Sequence, residues 1–310
     1  MLPFPVQGQE TLRRRVILVV GASFIELQCA AKPPEPAATP FASTDTHPTR
    51  AEAPRSPPTV ATPAAPATAL DRGPCPDGMQ HVEKNFCPKL ERRCLKQERD
   101  KINNITICHR FEPGTPACQA PRIALDFCID VFEYPNQKGA RPPVMVDWYE
   151  AMGFCAAQDK RLCYESEWTA ACEGPDEHPF PYGLERSAEK CNIDNTWITP
   201  ELSLVYSSDP NKSAAELKRI DQSVPSGHKP GCVSAYGVHD LTGNLDEWTL
   251  ADHDRPKEKA VFAALKGGAW GHVRNACRPV TTSHEPEFRY YFVSFRCCRD
   301  APGMQPGEAR

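Results

Sequence analysis

The sequence has no apolar run long enough to cross a membrane and no excess of basic residues. A membrane-spanning helix needs about 20 consecutive apolar residues, and no apolar stretch of this chain approaches that length. Lysine and arginine total 36 against 40 aspartate and glutamate, which gives a net charge of -4. Nucleic-acid-binding proteins usually have a basic balance or a basic stripe. We therefore expect no transmembrane domain and no nucleic-acid partner.

Regular sequence repeats are also missing. Neither glycine at every third position nor a sustained heptad occurs, which excludes collagen and long coiled coils. Two residue types are instead abundant, with 33 prolines and 15 cysteines among 310 residues. So many cysteines predict either an oxidising compartment, where disulfides form, or several metal sites.

The first 31 residues have the pattern of a secretory signal peptide. Three arginines at 13–15 precede an apolar stretch at 16–25, and Cys29-Ala30-Ala31 has the small residues of a cleavage site. The alternatives are a buried strand for the apolar stretch and lipid attachment at Cys29. We expect a secreted, periplasmic or envelope-attached protein whose folded domain does not include Cys29.

Residues 32–72 form a predicted linker. They include ten prolines and many alanines and threonines, with almost no large apolar residue. Such a segment buries too little apolar surface to offset the entropy lost on ordering, so we expect an extended spacer. The folded domain is predicted to cover residues 73–300, and residues 301–310 form a short polar tail.

The first part of that domain, residues 73–130, is rich in cysteine. Zinc sites favour short C-x-x-C pairs or paired histidines, whereas the gaps between these cysteines are long and irregular. We favour disulfides over zinc, and the connectivity stays open. The residues concerned are Cys75, Cys87, Cys94, Cys108, Cys118 and Cys128.

Two short helices are predicted in the next segment. Asp147 and Glu150 have the spacing of a capping box at the start of the first helix. The second helix is expected to cover residues 165–172 and to end before the Gly-Pro at 174–175. The chain beyond it is rich in glycine and proline, so we expect short strands and little regular structure there.

Several motifs follow one another in a fixed order through the domain. They include Glu165-Ser166-Glu167-Trp168, Asp240-Leu241-Thr242-Gly243-Asn244-Leu245-Asp246-Glu247-Trp248, Lys266-Gly267-Gly268-Ala269-Trp270 and Phe295-Arg296-Cys297. This ordered set resembles the formylglycine-generating enzyme family, also called sulfatase-modifying factor domains. The resemblance covers roughly residues 75–300 and implies a variant of the C-type lectin-like fold, which is α+β with little regular secondary structure. The family's founding activity is copper-dependent oxidation, by oxygen, of a sulfatase cysteine to formylglycine.

The enzymes that this chain resembles carry two redox cysteines after a Gly-Gly-Ser motif, because two thiolates hold copper(I), a soft ion. Two alignments are possible in this chain. Counting forward from the Gly-Gly at 267–268 places the redox positions at His272 and Cys277. Counting backward from Phe295 instead makes Cys277 a structural cysteine that pairs with Cys172. We favour the second alignment, and because neither provides two thiolates, we expect formylglycine-generating activity to be absent.

Matching positions in the family imply two disulfides. Cys155 is expected to pair with Cys297 or Cys298, and Cys172 with Cys277. The adjacent cysteines at 297 and 298 are expected to have different partners, because the ring formed by neighbouring cysteines is strained.

The family also implies a structural calcium ion. Calcium binds several oxygens from carboxylates and main-chain carbonyls, and the glycine-containing turn at 240–247 offers both. A glycine turn anchored by a buried tryptophan is the alternative. The implied ligands are the Asp240 side chain, the Gly243 and Leu245 carbonyls and the Glu247 carboxylate.

Two functions are compatible with these observations. The first is a secreted or envelope-attached binding module, presented by its linker to a protein, peptide or glycan partner. The second is an oxidoreductase that uses copper or another redox metal, held by His272 and Cys277, to act with oxygen on sulfur of a protein or small thiol. The state of Cys277, bridged or free, distinguishes them, and we favour the binding module.

Overall fold

The structure is a computed structural model that describes residues 74–101, 104–252, 262–272 and 274–302. The predicted signal peptide, Cys29, the predicted linker and residues 303–310 of the predicted tail lie outside these residues. Within them, a run of strands is followed by four helices with one short strand among them and then by a second run of strands, which confirms the α+β prediction. No helix in these ranges is both long and apolar enough to cross a membrane.

Strands and helices are numbered separately in chain order. The strands are β1 (Met79–Phe86), β2 (Leu90–Glu91), β3 (Cys94–Asp100), β4 (Ile105–Phe111), β5 (Ala117–Cys118), β6 (Ile123–Asp130), β7 (Arg161–Leu162), β8 (Asp246–Leu250), β9 (Ala263–Lys266), β10 (Val280–Thr281), β11 (Val293–Phe295) and β12 (Cys297–Asp300). The helices are α1 (Trp148–Ala156), α2 (Glu165–Glu173), α3 (Leu202–Val205) and α4 (Pro210–Ile220).

Two four-stranded sheets form the centre of the domain. The first has the order β1-β6-β12-β7 and is antiparallel throughout, so it joins the beginning and the end of the described chain. The second has the order β10-β9-β8-β11, with β11 parallel to β8 and the other pairs antiparallel. Strands β8, β9 and β11 are almost wholly buried, as is typical of strands covered on both faces.

The cysteine-rich N-terminal part adds two small ladders beside this centre. Strand β2 pairs with β5, and β3 forms a long hairpin with β4. Most residues of the hairpin are exposed or half-buried, so this part buries little apolar surface of its own. Disulfides 75–128, 87–118 and 94–108 cross-link it, and the structure thus answers the question of connectivity that the sequence left open.

Helices α1 and α2 begin and end as local sequence rules predict. The Asp147 side chain accepts a hydrogen bond from the Glu150 amide at 2.8 Å, and the Glu150 carboxylate accepts one from the Asp147 amide at 3.3 Å, which completes the predicted capping box. Helix α2 ends at Glu173, and Gly174 follows with φ of 66°. That left-handed conformation favours glycine.

Helix α4 corrects the expectation of little regular structure beyond Gly174. It has 11 residues, with Asp209 as N-cap and Pro210 in its first turn. Lys218 and Arg219 lie in its last turn, where cations suit the helix dipole. Each of these start and stop signals is visible in the sequence, although the surrounding glycines and prolines favour an irregular chain.

Two large buried clusters, and a small third one around the 191–232 disulfide, make the core. The first collects Trp148, Trp248 and Trp270 with the second sheet and α1. The second lies between the first sheet and α2 and includes Val82 and Trp168. Both clusters contain disulfide sulfurs, so the covalent links are part of the apolar interior.

Seven disulfides join all fourteen cysteines between residues 75 and 298. Cys155 pairs with Cys297, and Cys172 with Cys277. The neighbouring cysteines 297 and 298 have different partners, because Cys163 takes Cys298. The remaining pair is 191–232.

The loop that a bridge closes depends on the bridges that remain when it is removed. The 155–297 disulfide spans 142 residues in sequence, but the neighbouring 163–298 bridge shortens the loop that it closes to about ten residues, against 14 for 94–108. Replacing Cys155 and Cys297 together by alanine should therefore lower the free energy of unfolding by about 3 kcal/mol, much as Cys94→Ala with Cys108→Ala does. Urea unfolding followed by tryptophan fluorescence measures both. A loss for the 155–297 pair that exceeds the other by about 2 kcal/mol or more would contradict this chain-entropy explanation.

Candidate functional site

A cleft of about 470 Å³ lies beside the first residue of β8, on the part of the second sheet that faces the β3–β4 hairpin. Its lining combines carboxylates, imidazoles, hydroxyls, a guanidinium and aromatic rings, drawn from distant parts of the chain. The lining residues are Asp100, Ile105, Trp197, Asp246, Gly271, His272, Arg274, Thr281, Ser283, His284 and Phe292.

Asp246 is the buried carboxylate of the cleft. Its Oδ1 accepts a hydrogen bond from the Gly268 amide at 3.1 Å, and its Oδ2 lies 3.5 Å from Nδ1 of His272. The His272 ring meets the Phe292 ring edge to face, with centroids 4.4 Å apart. His272, which the sequence singled out, therefore lies in the cleft beside an acidic partner that the sequence did not assign.

The turn that positions His272 is held by Asn275. The Asn275 Nδ2 atom lies within hydrogen-bonding distance of the carbonyls of Gly268 at 2.9 Å and Ala269 at 2.8 Å. Gly268 has φ of 68°, and a Cβ there would approach Asn275 Nδ2 to 3.1 Å, so the turn requires glycine. Asn275 is fully buried, and its role could not be found from the sequence because its contacts depend on the folded turn.

His284 is the second imidazole of the lining. Its ring stacks on Phe288 with centroids 3.8 Å apart. Burial lowers the pKa of His284; the Asp246 carboxylate opposes this shift, and the Arg274 guanidinium adds to it. The imidazole is therefore uncharged near pH 7 and can offer one donor and one acceptor. Arg274 itself donates to Thr281 Oγ1 at 2.5 Å.

An exposed tryptophan and the N-terminal hairpin contribute to the edges of the cleft. Trp197 is 46% exposed, and its ring lies near the rings of Tyr291 and Phe292. Asp100 and Ile105, at the facing ends of β3 and β4, also line the cleft. The cysteine-rich part is thus joined to the candidate site, which no local sequence signal indicated.

A larger cavity, of about 720 Å³, lies between the N-terminal part and the loop after α2. Several of its charged side chains already pair with one another. Arg278 forms an ion pair with Glu173, and Arg93 pairs with Glu112 at 2.7 Å. Arg92 donates to the carbonyls of Glu112 at 2.8 Å and Gly114 at 2.7 Å. These groups link structural segments, so the smaller cleft is the better candidate for a ligand site.

Cys277 does not accompany His272 as a free thiol. Its sulfur is bonded to Cys172 at the end of α2, and the residue is fully buried. In this arrangement Cys277 provides no thiolate for the metal site that the oxidoreductase interpretation places at His272 and Cys277. Among the described residues, no group of three or more histidine, cysteine, aspartate or glutamate side chains is placed to hold a metal.

The four residues implied as calcium ligands lie in one buried turn that leads into β8. Gly243 has φ of 80°, and a Cβ there would lie 2.4 Å from the Asn192 carbonyl oxygen. Glycine is therefore required at this position by close backbone packing. The four residues are Asp240, Gly243, Leu245 and Glu247.

The acidic residues of that turn have hydrogen-bond partners within the protein. The Glu247 carboxylate accepts hydrogen bonds from Arg296 Nε and Nη2, each at 2.7 Å, and from Trp168 Nε1 at 2.9 Å. One Asp240 oxygen accepts the Gly227 amide at 2.7 Å. A calcium ion on Glu247 would share that carboxylate with the Arg296 guanidinium. The calcium set implied by the resemblance stays a prediction.

A third buried carboxylate, Glu133, belongs to the same region. It lies 2.8 Å from Asn244 Nδ2 and accepts a hydrogen bond from the Ser226 hydroxyl at 2.8 Å. Burial raises the pKa of Glu133 well above its ordinary value, and repulsion by Asp240 and Glu247 adds to the shift. Burial likewise raises the pKa of Asp240 to about 6.

The lowered pKa of His284 is open to direct measurement. The unfolded chain has the ordinary histidine pKa of about 6.5, so the unfolded state binds the proton first and folding stability falls as pH drops below that value. Two-dimensional NMR of the imidazole should show a titration midpoint below about 6.5, with His284→Gln used to assign the signal. A midpoint at or above the ordinary value would contradict the burial of this imidazole.

Comparison with known proteins adds a family and several relatives. Residues 125–301 match the sulfatase-modifying factor enzyme 1-like domain family. The match begins after the β3–β4 hairpin, so the part of the cleft lined by Asp100 and Ile105 lies outside it.

The curated relatives carry two kinds of name. The chain is 26% identical over 180 residues to the inactive C-alpha-formylglycine-generating enzyme 2 of Bos taurus, covering 54% of this chain and 52% of the relative. It is 27% identical over 175 residues to the formylglycine-generating enzyme of Mus musculus, covering 51% and 44%. The chain thus spans about half the length of the curated relatives it matches. Among solved structures, the crystal structure of CarF aligns at 14% identity over 72% of this chain and 97% of CarF, with a TM-score of 0.43.

Proposed function

The chain belongs to the sulfatase-modifying factor enzyme 1-like domain family, and we propose that it is a secreted or envelope-attached member that lacks formylglycine-generating activity and binds a ligand in the cleft. Membership gives the expected C-type lectin-like α+β fold. It does not give the activity, because one fold hosts many functions.

The observation that carries the proposal is the sulfur of Cys277. Copper(I) in the founding activity needs two thiolates, since soft ions prefer sulfur. Here Cys277 is bonded to Cys172, and each of the fourteen cysteines from residue 75 to 298 has a disulfide partner. Within the described residues this leaves no thiolate for the metal.

The activities that the relatives' names state agree with this proposal only in part. One relative is described as inactive and another as a formylglycine-generating enzyme, at nearly equal identity. Identity therefore does not distinguish the two functions, whereas the disulfide at Cys277 supports the first.

Secretion is supported by the number of disulfides. Such bonds form and persist in oxidising compartments and are rare in the cytosol. The predicted signal peptide and linker agree with a domain presented at a distance from a membrane or wall. Lipid attachment at Cys29 remains the alternative to cleavage.

The cleft suits a neutral, hydroxyl-rich ligand, and we propose a glycan. Ligand sites combine apolar surface with a few well-placed polar groups. The exposed Trp197 offers a flat apolar face, while Asp246 and the uncharged His284 offer acceptors and a donor. A peptide is the alternative partner, and binding measurements on both ligand classes separate it from a glycan.

The absence of oxidase activity is testable by product analysis. The purified protein, supplied with copper(I), oxygen and a sulfatase-derived peptide containing the target cysteine, should form no formylglycine above a protein-free control. Mass spectrometry of the peptide detects the product, and an active formylglycine-generating enzyme provides the positive control. Copper-dependent formation of the aldehyde would contradict the proposal.

If the glycan binds in the cleft, removal of the Trp197 ring should reduce the affinity for it. Trp197→Ala should weaken glycan binding by at least about tenfold, since an aromatic side chain that a bound ligand covers contributes roughly 2 kcal/mol or more. Tyr149→Ala is the matched control, because Tyr149 is similarly exposed, at 49%, and is not part of the cleft lining.

An array of glycans and peptides, followed by titration of any hit, measures both variants. Peptide binding that depends on Trp197, without glycan binding, would overturn the glycan assignment. Binding that is unchanged in Trp197→Ala would overturn the cleft as the site.

A further inference from the structure

An apolar cavity adjoins the cleft on the side of the β3–β4 hairpin. It has a volume of about 330 Å³ and lies between strand β4 and the segments that contain Phe180 and residues 274–279. Ile105 and Arg274 line both the cleft and this apolar cavity, so the two spaces meet at these residues. A ligand that fills the cleft can therefore extend beneath the hairpin.

The walls of the apolar cavity are mostly aliphatic and aromatic. Ile105 and Ile107 alternate along β4, which places their side chains on the same face of the strand. The rings of Phe111 and Phe180 meet edge to face, with centroids 5.9 Å apart. Within the described residues, neither isoleucine belongs to a buried core cluster or packs against one, and both are only half-buried. Their hydrocarbon surface is thus left for another apolar group to cover.

Arg186 and Arg274 are the two charged residues in the described lining of the apolar cavity. The Arg186 side chain is only 3% exposed, and its Nη2 atom lies 2.6 Å from an Asp194 oxygen and donates to Asn275 Oδ1 at 2.9 Å. Arg274 is exposed and lies at the edge shared with the cleft, where it donates to the Thr281 hydroxyl. An alkyl chain in the apolar cavity would therefore not bury an unpaired charge.

The cleft and the apolar cavity differ in the ligand chemistry that they suit. The cleft offers the Asp246 carboxylate, the His284 imidazole and the flat face of Trp197. Sugar hydroxyls in the apolar cavity would lose water without gaining comparable partners, which is costly. Alkyl groups there would gain free energy in proportion to the apolar area that they bury. A ligand that suits both spaces has a polar end and an apolar end.

We propose that the ligand of the cleft is a glycolipid, whose sugar lies in the cleft and whose linear alkyl chain lies in the apolar cavity. This inference rests on the proposed function, because it names the chemical class of the proposed glycan. A domain attached to an envelope meets such ligands where glycans are anchored in lipid. The β3–β4 hairpin, which lies outside the family match, provides the wall that selects a glycan with an alkyl chain.

Isothermal titration of the purified wild-type protein with paired methyl and octyl glycosides tests the proposal. The pairs contain glucose, galactose, mannose or N-acetylglucosamine, and the octyl glycosides are kept below the concentration at which they form micelles. At least one octyl glycoside should bind about tenfold more tightly than its methyl counterpart, because burial of about two methylene groups accounts for that factor. Equal affinities within every pair, or no binding by any glycoside, would overturn the proposal.

A charge placed in the apolar cavity provides the second test. Ile107→Asp should abolish the gain in affinity from the octyl chain and leave the affinity for the methyl glycoside unchanged. Leu95→Asp is the matched control and should keep the gain, because Leu95 lies on the paired strand β3, is 42% exposed and lines neither space. A gain that persists in Ile107→Asp would overturn the apolar cavity as the site of the chain. If Ile107→Asp yields no folded protein, the wild-type comparison decides the question alone.

Two further measurements separate failure of this inference from failure of the proposed function. If the inference alone fails, methyl and octyl glycosides bind equally, and both lose affinity in Trp197→Ala. If the proposed function fails, glycoside binding is absent or is unchanged in Trp197→Ala. Sodium octanoate is the remaining probe and should bind more weakly than the octyl glycosides. Equal binding of octanoate would show that the alkyl chain is bound without a sugar, and it would overturn the glycolipid assignment.

Discussion

The buried ion pair between Arg296 and Glu247 is the interaction on which the arrangement of this domain depends. A buried pair is favourable only when hydrogen bonds satisfy both charges, and here several separate segments provide them. Glu247 belongs to β8 of the second sheet and also accepts a hydrogen bond from the indole N–H of Trp168 in α2. The carbonyl of Asp130, at the end of β6 in the first sheet, accepts a hydrogen bond from Arg296. Two sheets and a helix are thereby held at one point.

Strand β8 lies between the buried ion pair and the candidate site. Successive side chains of a strand point to opposite faces, and Asp246 and Glu247 are neighbours in β8. Glu247 faces the buried guanidinium, whereas Asp246 faces the cleft beside His272. A buried internal network therefore supports the carboxylate that lines the cleft. This explains how a chain with few regular elements can hold a defined cleft.

The cysteines serve the same structural purpose. Strand β12 holds adjacent cysteines bonded to α1 and to Cys163, and a third bridge ties the end of α2 to Cys277 beyond the cleft. Bridges over such long loops stabilise mainly by restricting the unfolded chain. Cys277 is held in this network and offers no thiolate.

Short-range features were predictable from the sequence, and long-range ones were not. The Asp147–Glu150 capping box and the end of α2 before Gly174 follow from local rules, and both are confirmed. The position of the β3–β4 hairpin beside the cleft depends on packing between distant segments, so no local pattern could indicate it. The ion pair of Glu247 could not be predicted for the same reason, since Arg296 lies 49 residues away along the chain.

The central claim, that Cys277 is a structural cysteine, is tested most directly by mapping disulfides in the purified, non-reduced protein with free thiols alkylated. Proteolysis and mass spectrometry should recover a peptide pair that joins Cys172 to Cys277, with no alkylation at Cys277. An alkylated Cys277 would show a free thiol, and it would contradict the assignment of this chain as a non-catalytic binding module.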